Sequence, residues 1–290
     1  EDSDLETVEP VEEDTTTDQR VFPAARVLIA EDQSINLMYM EELLKELGCS
    51  CETALNGLET IEAVKRSQFD LILMDCQMPE MDGFEASRQI RQLEADGILS
   101  GHIPIVALTA NAVKGDREVC LQAGMNEYLS KPVQVNQIRE VFARLLEQKP
   151  DSSDSSHADD DQSEQSRTES PIDSEQLWER CFKNLEFANS LLNELEAVGP
   201  DRITEIQVNA DQQNLTGIAQ SAHALKGTAG ILCASPLYDL TVQVEKAVQN
   251  ESYTDDINEL IKQVVAEMQE CLDSLPKLRE EFQTINENAK

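Results

Sequence analysis

The chain has 290 residues, room for two domains of ordinary size, and carries a formal charge of −34 from 23 basic and 57 acidic side chains. Such a polyanion repels phosphate backbones and no basic patch interrupts it, which argues against direct DNA or RNA binding. Seven scattered cysteines without metal-ligand spacing, no signal peptide and no long apolar stretch read as a cytosolic, reduced segment with no membrane contact of its own. The first residue is Glu1 and not methionine, which fits a processed chain or a piece of a larger protein.

Residues 1–23 form an acidic tract too poor in apolar side chains to offset chain entropy, and disorder is expected there. From residue 24 the pattern changes. Short apolar runs appear: RVLIA ahead of Glu31 and Asp32, LILM ahead of Asp75, IPIVAL ahead of Thr109, and YLS ahead of Lys131. Such runs read as strands buried on both faces of a parallel sheet. Cys49 and Cys51 alternate as in a strand and are expected to pack, not to ligate metal. Helical patterns lie between the runs: Leu37 to Leu47, stopping at Gly48, then Leu58 to Val64, Phe84 to Leu93, Val113 to Gly124, and Val135 to Leu145. Strand and helix thus alternate five times over residues 24–149. The alternation predicts right-handed crossovers and a doubly wound α/β domain built on a five-stranded parallel sheet.

Ligands of open α/β sheets bind outside the carboxyl ends of the strands, so the residues that end these runs should meet in one crevice. There Glu31, Asp32 and Asp75 offer three carboxylates to a hard cation such as magnesium. Lys131 offers a point charge and Thr109 a hydroxyl to phosphoryl oxygens, and an aspartate can itself attack phosphorus to give an acyl phosphate. Each residue alone would pass for a helix cap or turn residue; the set does not.

The motifs AED, LMDCQMPEMDG, ALTAN and YLSKP, in this order, resemble the response-regulator receiver domain of two-component signalling, a flavodoxin-like fold, over Arg26 to Leu146. The resemblance implies that Asp75 is the phosphoacceptor and that Glu31 and Asp32 hold Mg2+ together with Asp75 and the backbone carbonyl of Gln77. By the same resemblance Lys131 and Thr109 bind the phosphoryl group, Tyr128 is the aromatic that follows the threonine in switching, and Lys131-Pro132 is the family's frequently cis pair. Phosphorylation adds about one and a half to two negative charges, which should draw the loop of Thr109, Ala110 and Asn111 toward Asp75. The helical face from Val113 to Leu121 would be the readout.

Residues 150–171 are a Ser- and Asp-rich acidic linker, expected to be disordered. Beyond it the strand signal disappears. Leu177 to Phe187, Leu191 to Val198, Ile203 to Val208, Leu215 to Leu232, Leu237 to Val248 and Ile257 to Leu278 read as helices, so residues 172–285 are expected to form an all-α bundle. Trp178, Met268, Leu272 and Leu275 are assigned to its core.

One helix is more informative than the rest. Leu215, Ile218, Ala222, Leu225, Ala229 and Leu232 make a buried stripe, and His223 projects roughly 130° from its centre, toward solvent. Ala219, Gly227 and Gly230 share the side of His223, with Lys226 at its margin. Two glycines inside a helix cost about 1 kcal/mol each relative to alanine, so some requirement must offset them. A side-chain-poor surface would let another protein approach closely.

His223, Leu225, Lys226 and Gly227, within AHALKGTAG, resemble the histidine phosphotransfer (HPt) domain, over most of residues 172 to 250. The resemblance implies that His223 is a second phosphoacceptor, that Lys226 offsets phosphoryl charge, and that Gly227, Gly230 and Ala219 clear space for a docked receiver. Cys233 stands where that family often has glycine. His102 and His157 lack such surroundings.

The two halves together resemble the C-terminal part of a hybrid sensor histidine kinase. The expected function is magnesium-dependent phosphorelay, from a kinase phosphohistidine to Asp75, on to His223 and then to a downstream response regulator. The partners are a histidine kinase core, upstream or in the same parent chain, and that regulator. The location is cytoplasmic, as the cytoplasmic portion of a membrane-anchored sensor would be. Two other classes are a magnesium-dependent aspartyl-phosphate phosphohydrolase, which would need a second acid where Gln77 stands, and a non-catalytic signalling scaffold.

Overall fold

A computed structural model describes residues 22, 25–109, 114–146, 170–249 and 253–288. The expected acidic linkers fall almost wholly outside these residues, as do Ala110, Asn111, Val113 and His157.

Strands β1 (Arg26–Ala30), β2 (Ser50–Ala54), β3 (Leu71–Asp75), β4 (Ile105–Thr109) and β5 (Glu127–Ser130) form one parallel sheet in the order β2-β1-β3-β4-β5. The central strands β3 and β4 are buried at every position, which is why their sequences run apolar without alternation. Edge strand β2 is mostly exposed and has a weaker apolar signal. There one expectation holds for only one of two residues: Cys49, just ahead of the strand, is half-buried and packs on the core, whereas Cys51 is exposed.

Between the strands lie α1 (Ser34–Glu46), α2 (Gly57–Arg66), α3 (Gly83–Ala95), α4 (Lys114–Gln122) and α5 (Val135–Leu146). Asn56 and Asp82 cap α2 and α3 by accepting from the backbone N–H of Glu59 and Glu85. Gly48, at φ 75°, ends α1 in the left-handed conformation that favours glycine. Alternate strand residues go to opposite faces. Val27 and Ile29 pack with α1 and α5, whereas Leu28 and Ala30 pack with the helices of the other face.

The second half consists of α6 (Ser174–Arg180), α7 (Leu185–Asp211), α8 (Leu215–Ile231), α9 (Ser235–Val248) and α10 (Asp255–Asn288). Helix α8 packs on α7 and α9, and α10 packs on α6, α7 and α9. The expected stripe of α8 is buried from Ile218 to Leu232, and Trp178 packs its ring against Phe282.

Two boundaries differ from the sequence pattern. The helix expected over 177–187 breaks at Phe182 and Lys183, both left-handed at φ 56°. The segments expected over 191–198 and 203–208 are one helix, continuous through Pro200, because its apolar face stays buried on either side of the proline. Cys233, at φ 55°, follows the end of α8 in a left-handed C-terminal turn closed by bonds from Cys233 N to Gly230 O and from Ala234 N to Ala229 O. That conformation accounts for a glycine preference at this position.

Helix α1 also packs against α7 and α8, so one apolar cluster runs from the α1 and α5 face of the sheet into the bundle. No described helix is long and apolar enough to cross a membrane.

The approach of α3 to the end of β3 leaves no room for a side chain at its first residue. A Cβ on Gly83 would lie 2.1 Å from the carbonyl oxygen of Asp75. Gly83→Ala should therefore cost about 1–3 kcal/mol in urea denaturation, and an unchanged midpoint would contradict this packing.

Candidate functional site

Strand β3 ends on Asp75, and β1 stops one residue before Glu31, at the point where the strand order reverses. The parallel register then sets β4 and β5 alongside, with Thr109 opposite Ser130 and Lys131 next in the chain. Carboxylate oxygens of Glu31, Asp32 and Asp75 all lie within 4.8 Å of one another. The Lys131 ammonium sits at 2.5 Å from Glu31 Oε2 and 2.7 Å from Asp75 Oδ2. Glu31 is fully buried and Asp75 nearly so.

This burial governs the charges. Loss of solvent pushes the Glu31 carboxyl above its ordinary value, against the pull of Lys131 and with help from the Asp75 charge. Asp32 is also raised, by burial first and then by the charge of Glu31. For Lys131 burial acts downward, but Asp75 and Glu31 outweigh it and the ammonium is held more firmly than in water. Three clustered carboxylates against one ammonium leave an excess of negative charge and hard oxygen donors. Such a donor set fits a divalent cation of the magnesium type.

The remaining residues expected here are arranged as follows. The Gln77 backbone N–H donates to Asp75 Oδ1 at 3.2 Å, and residue 77 brings no second carboxyl to the site. Thr109 is buried at the end of β4, and its carbonyl accepts from the Lys131 N–H at 2.7 Å. Tyr128 is half-buried on β5 and packs against the cluster opposite α1. The Lys131-Pro132 bond is cis.

A second constellation lies on α8. The His223 side chain is 19% exposed, so it does not face open solvent as its position on the helical wheel predicts. Helix α9 covers one side of it, and Glu245 from that helix binds His223 Nδ1 at 3.0 Å through Oε1 and Lys226 Nζ at 2.7 Å through Oε2. Lys226 is likewise buried, not marginal, at 3% exposure. Burial pushes the Glu245 carboxyl upward, but the bonds from His223 and Lys226 prevail and hold it below its ordinary value of 4.5. An ionised carboxylate only accepts, so Nδ1 donates to Glu245, and in the neutral imidazole this leaves the lone pair on Nε2.

The sequence carries a signal for Glu245 in the register of the helical hairpin. Ala234, in the turn between α8 and α9, lies midway between positions 223 and 245, and residues equidistant from the turn of a helical hairpin face each other. The small-residue face is occupied as well. Gly227 lies against Asn36 of α1 and Gly230 against Pro132, while Ala219 is half-buried.

Residues 27–143 match the family model described as the response regulator receiver domain, and residues 190–278 match that of the Hpt domain. The aerobic respiration control sensor protein ArcB of Escherichia coli K12 is 28% identical over 259 residues, covering 89% of this chain and 32% of ArcB. Hybrid signal transduction histidine kinase B of Dictyostelium discoideum is 45% identical over 120 residues, 39% of this chain and 6% of that protein. Among solved structures, the receiver domain of a Pseudomonas aeruginosa PAO1 sensor histidine kinase, with a magnesium ion coordinated in its active site cleft, is 38% identical. It covers 43% of this chain and 99% of its own, with a TM-score of 0.39. The chain thus spans 32% or less of the length of these two curated relatives.

Because the folded Glu245 carboxyl lies below 4.5, the stability it contributes is complete above that value and is lost as pH falls through the lower folded value. Glu245→Gln should be less stable than wild type between about pH 6 and 8, with the two converging only as pH falls through the lowered folded value of Glu245. Denaturation followed by Trp178 fluorescence measures the difference, and a gap independent of pH would contradict the ion-pair geometry.

Proposed function

We propose that this chain, which joins a match to the response regulator receiver domain with a match to the Hpt domain, is a phosphorelay module in which Asp75 and His223 are successive phosphoacceptors. The observation that carries this reading is the Lys131 ammonium bridging Asp75 and Glu31 inside a cluster of three carboxylates. A group that binds two carboxylate oxygens at 2.5 and 2.7 Å is placed to bind phosphoryl oxygens at the same distance.

In the first step an Asp75 carboxylate oxygen attacks the phosphorus of a phosphohistidine on a histidine kinase core, in an upstream protein or the same parent chain. The P–N bond breaks and an acyl phosphate forms. Glu31, Asp32, Asp75 and the Gln77 backbone carbonyl would hold Mg2+, whose charge offsets that of the phosphoryl oxygens. Lys131 binds those oxygens from the other side and Thr109 gives them its hydroxyl, with Tyr128 following the threonine when the site is loaded. In the second step Nε2 of His223 attacks the same phosphorus, the P–O bond breaks and the Asp75 carboxylate is restored. Glu245 orients the imidazole through Nδ1, and Lys226 reduces the local negative charge. The phosphoryl group then leaves for a downstream response regulator. The cytoplasm is its proposed location, and the seven free cysteines support a reduced compartment.

Transfer from a phosphorylated kinase core in magnesium buffer tests the order. Asp75→Asn should fail to load. His223→Gln should load at Asp75, giving a hydroxylamine-sensitive acyl phosphate, and should pass on at least about 100-fold less phosphate to a response regulator. Equal onward transfer by both variants would sink the relay. Chelation of divalent cations should abolish loading of Asp75, and loading that persists without them would remove the metal from the mechanism.

A further inference from the structure

Helix α1 of the receiver half lies against the bundle, held at both ends and in the middle. Near its N-terminus Arg202 Nη2 of α7 donates to Gln33 Oε1 at 2.5 Å, and further along Asn184 Nδ2 donates to Glu42 Oε1 at 3.4 Å. Between these contacts Tyr39 is 3% exposed, donates its hydroxyl to the Val133 carbonyl at 2.8 Å and stacks its ring on Phe182, with centroids 6.4 Å apart and planes 12° apart. Asn36 meets Gly227, where a Cβ would come within 2.8 Å of its amide nitrogen.

Phe182 reaches α1 from an unusual backbone. It and Lys183 are consecutive non-glycine residues at φ 56°, a left-handed conformation that side chains other than glycine rarely adopt. The turn is closed by bonds from Phe182 N to Glu179 O, Lys183 N to Trp178 O and Asn184 N to Cys181 O. These bonds explain how the turn persists. They do not explain why glycine is absent from it. The ring does: the left-handed turn projects Phe182 between Tyr39 and Phe187, and glycine would leave that space empty. Phe182 also precedes residue 190, outside the stretch that matches the Hpt family model.

Glu31 and Lys131 of the acidic cluster reach the same contact. A cavity of about 10 Å³ is lined by Glu31, Asn36, Lys131 and Pro132 from one half and by Gly227 and Ile231 of α8 from the other. The glycine face of α8 therefore already has an occupant, the receiver of its own chain.

We propose that the Phe182–Lys183 turn is a clamp that seats the chain's own receiver on the glycine face of α8, and that any other receiver reaching His223 must first displace α1. The docked state withholds the glycine face from other receivers and so opposes delivery. Its consequence for phosphate flow rests on the relay proposed above, whereas the docking itself does not.

The full chain is tested in two ways. Phe182→Gly deletes the ring while relieving the backbone, so it does not threaten the turn, and Arg202→Glu sets a carboxylate near Asp32. In both, hydrogen exchange over residues 34–46 and 227–231 should accelerate at least about fivefold while Trp178 reports an intact bundle. Next, His223→Gln chains phosphorylated at Asp75 are mixed with Asp75→Asn chains. Transfer between chains should be slow with the clamp intact and at least about fivefold faster when both partners carry Phe182→Gly, because undocked faces are free to meet. Unchanged exchange in both variants would overturn the clamp, as would transfer between chains that is equally fast with and without Phe182. Protected α1 with no phosphate reaching His223 in wild type would instead overturn the relay and leave the docking standing.

Discussion

Everything in the receiver half is organised around one ammonium shared by two buried carboxylates. Burial, helped by the charge of Asp75, pushes the Glu31 carboxyl toward its neutral form, and Lys131 opposes this and lets the two acids stay close. Removing one member of such a buried set strands the others, at a typical cost of 3–5 kcal/mol, so the site is both a demand on the fold and a product of it. The parallel sheet meets the demand by bringing three strand ends to a single edge. Gly83 completes it by letting α3 start against the carbonyl of Asp75.

The bundle solves a related problem with different parts. A histidine alone on a helix is an indifferent nucleophile, because either ring nitrogen can hold the proton. Glu245 fixes the proton on Nδ1 and shares its second oxygen with Lys226, so orientation and local charge come from one carboxylate. The two glycines that follow the histidine make sense only when the other half is considered. They cost helix stability, and they let Asn36 and Pro132 approach α8 closely.

Much of this was legible in the chain before its fold. Continuous apolar runs gave the buried strands, and the residues that end those runs gave the acidic cluster, because strand ends converge whatever the loops do. The exposed edge strand β2 was harder to read, since an edge needs no apolar face, and Cys51 accordingly faces solvent. In the bundle the stripe of α8 was plain, but the helix wheel misjudged His223 and Lys226: periodicity gives the direction of a side chain along its own helix and says nothing of the neighbour beside it. Glu245 needed the register of a hairpin, and Phe182 needed a left-handed backbone that no propensity favours for phenylalanine. Pro200 misled in the opposite way, because burial on both sides carried α7 through it.

In the proposed relay one phosphoryl group passes between Asp75 and His223. Phosphorus NMR of the wild-type chain, loaded with a small acyl phosphate donor in magnesium buffer and then freed of donor, follows both species in one sample. The acyl phosphate signal of Asp75 should decay as a histidine phosphoramidate signal grows in equal amount. Decay straight to inorganic phosphate, with no phosphoramidate at any time, would contradict it.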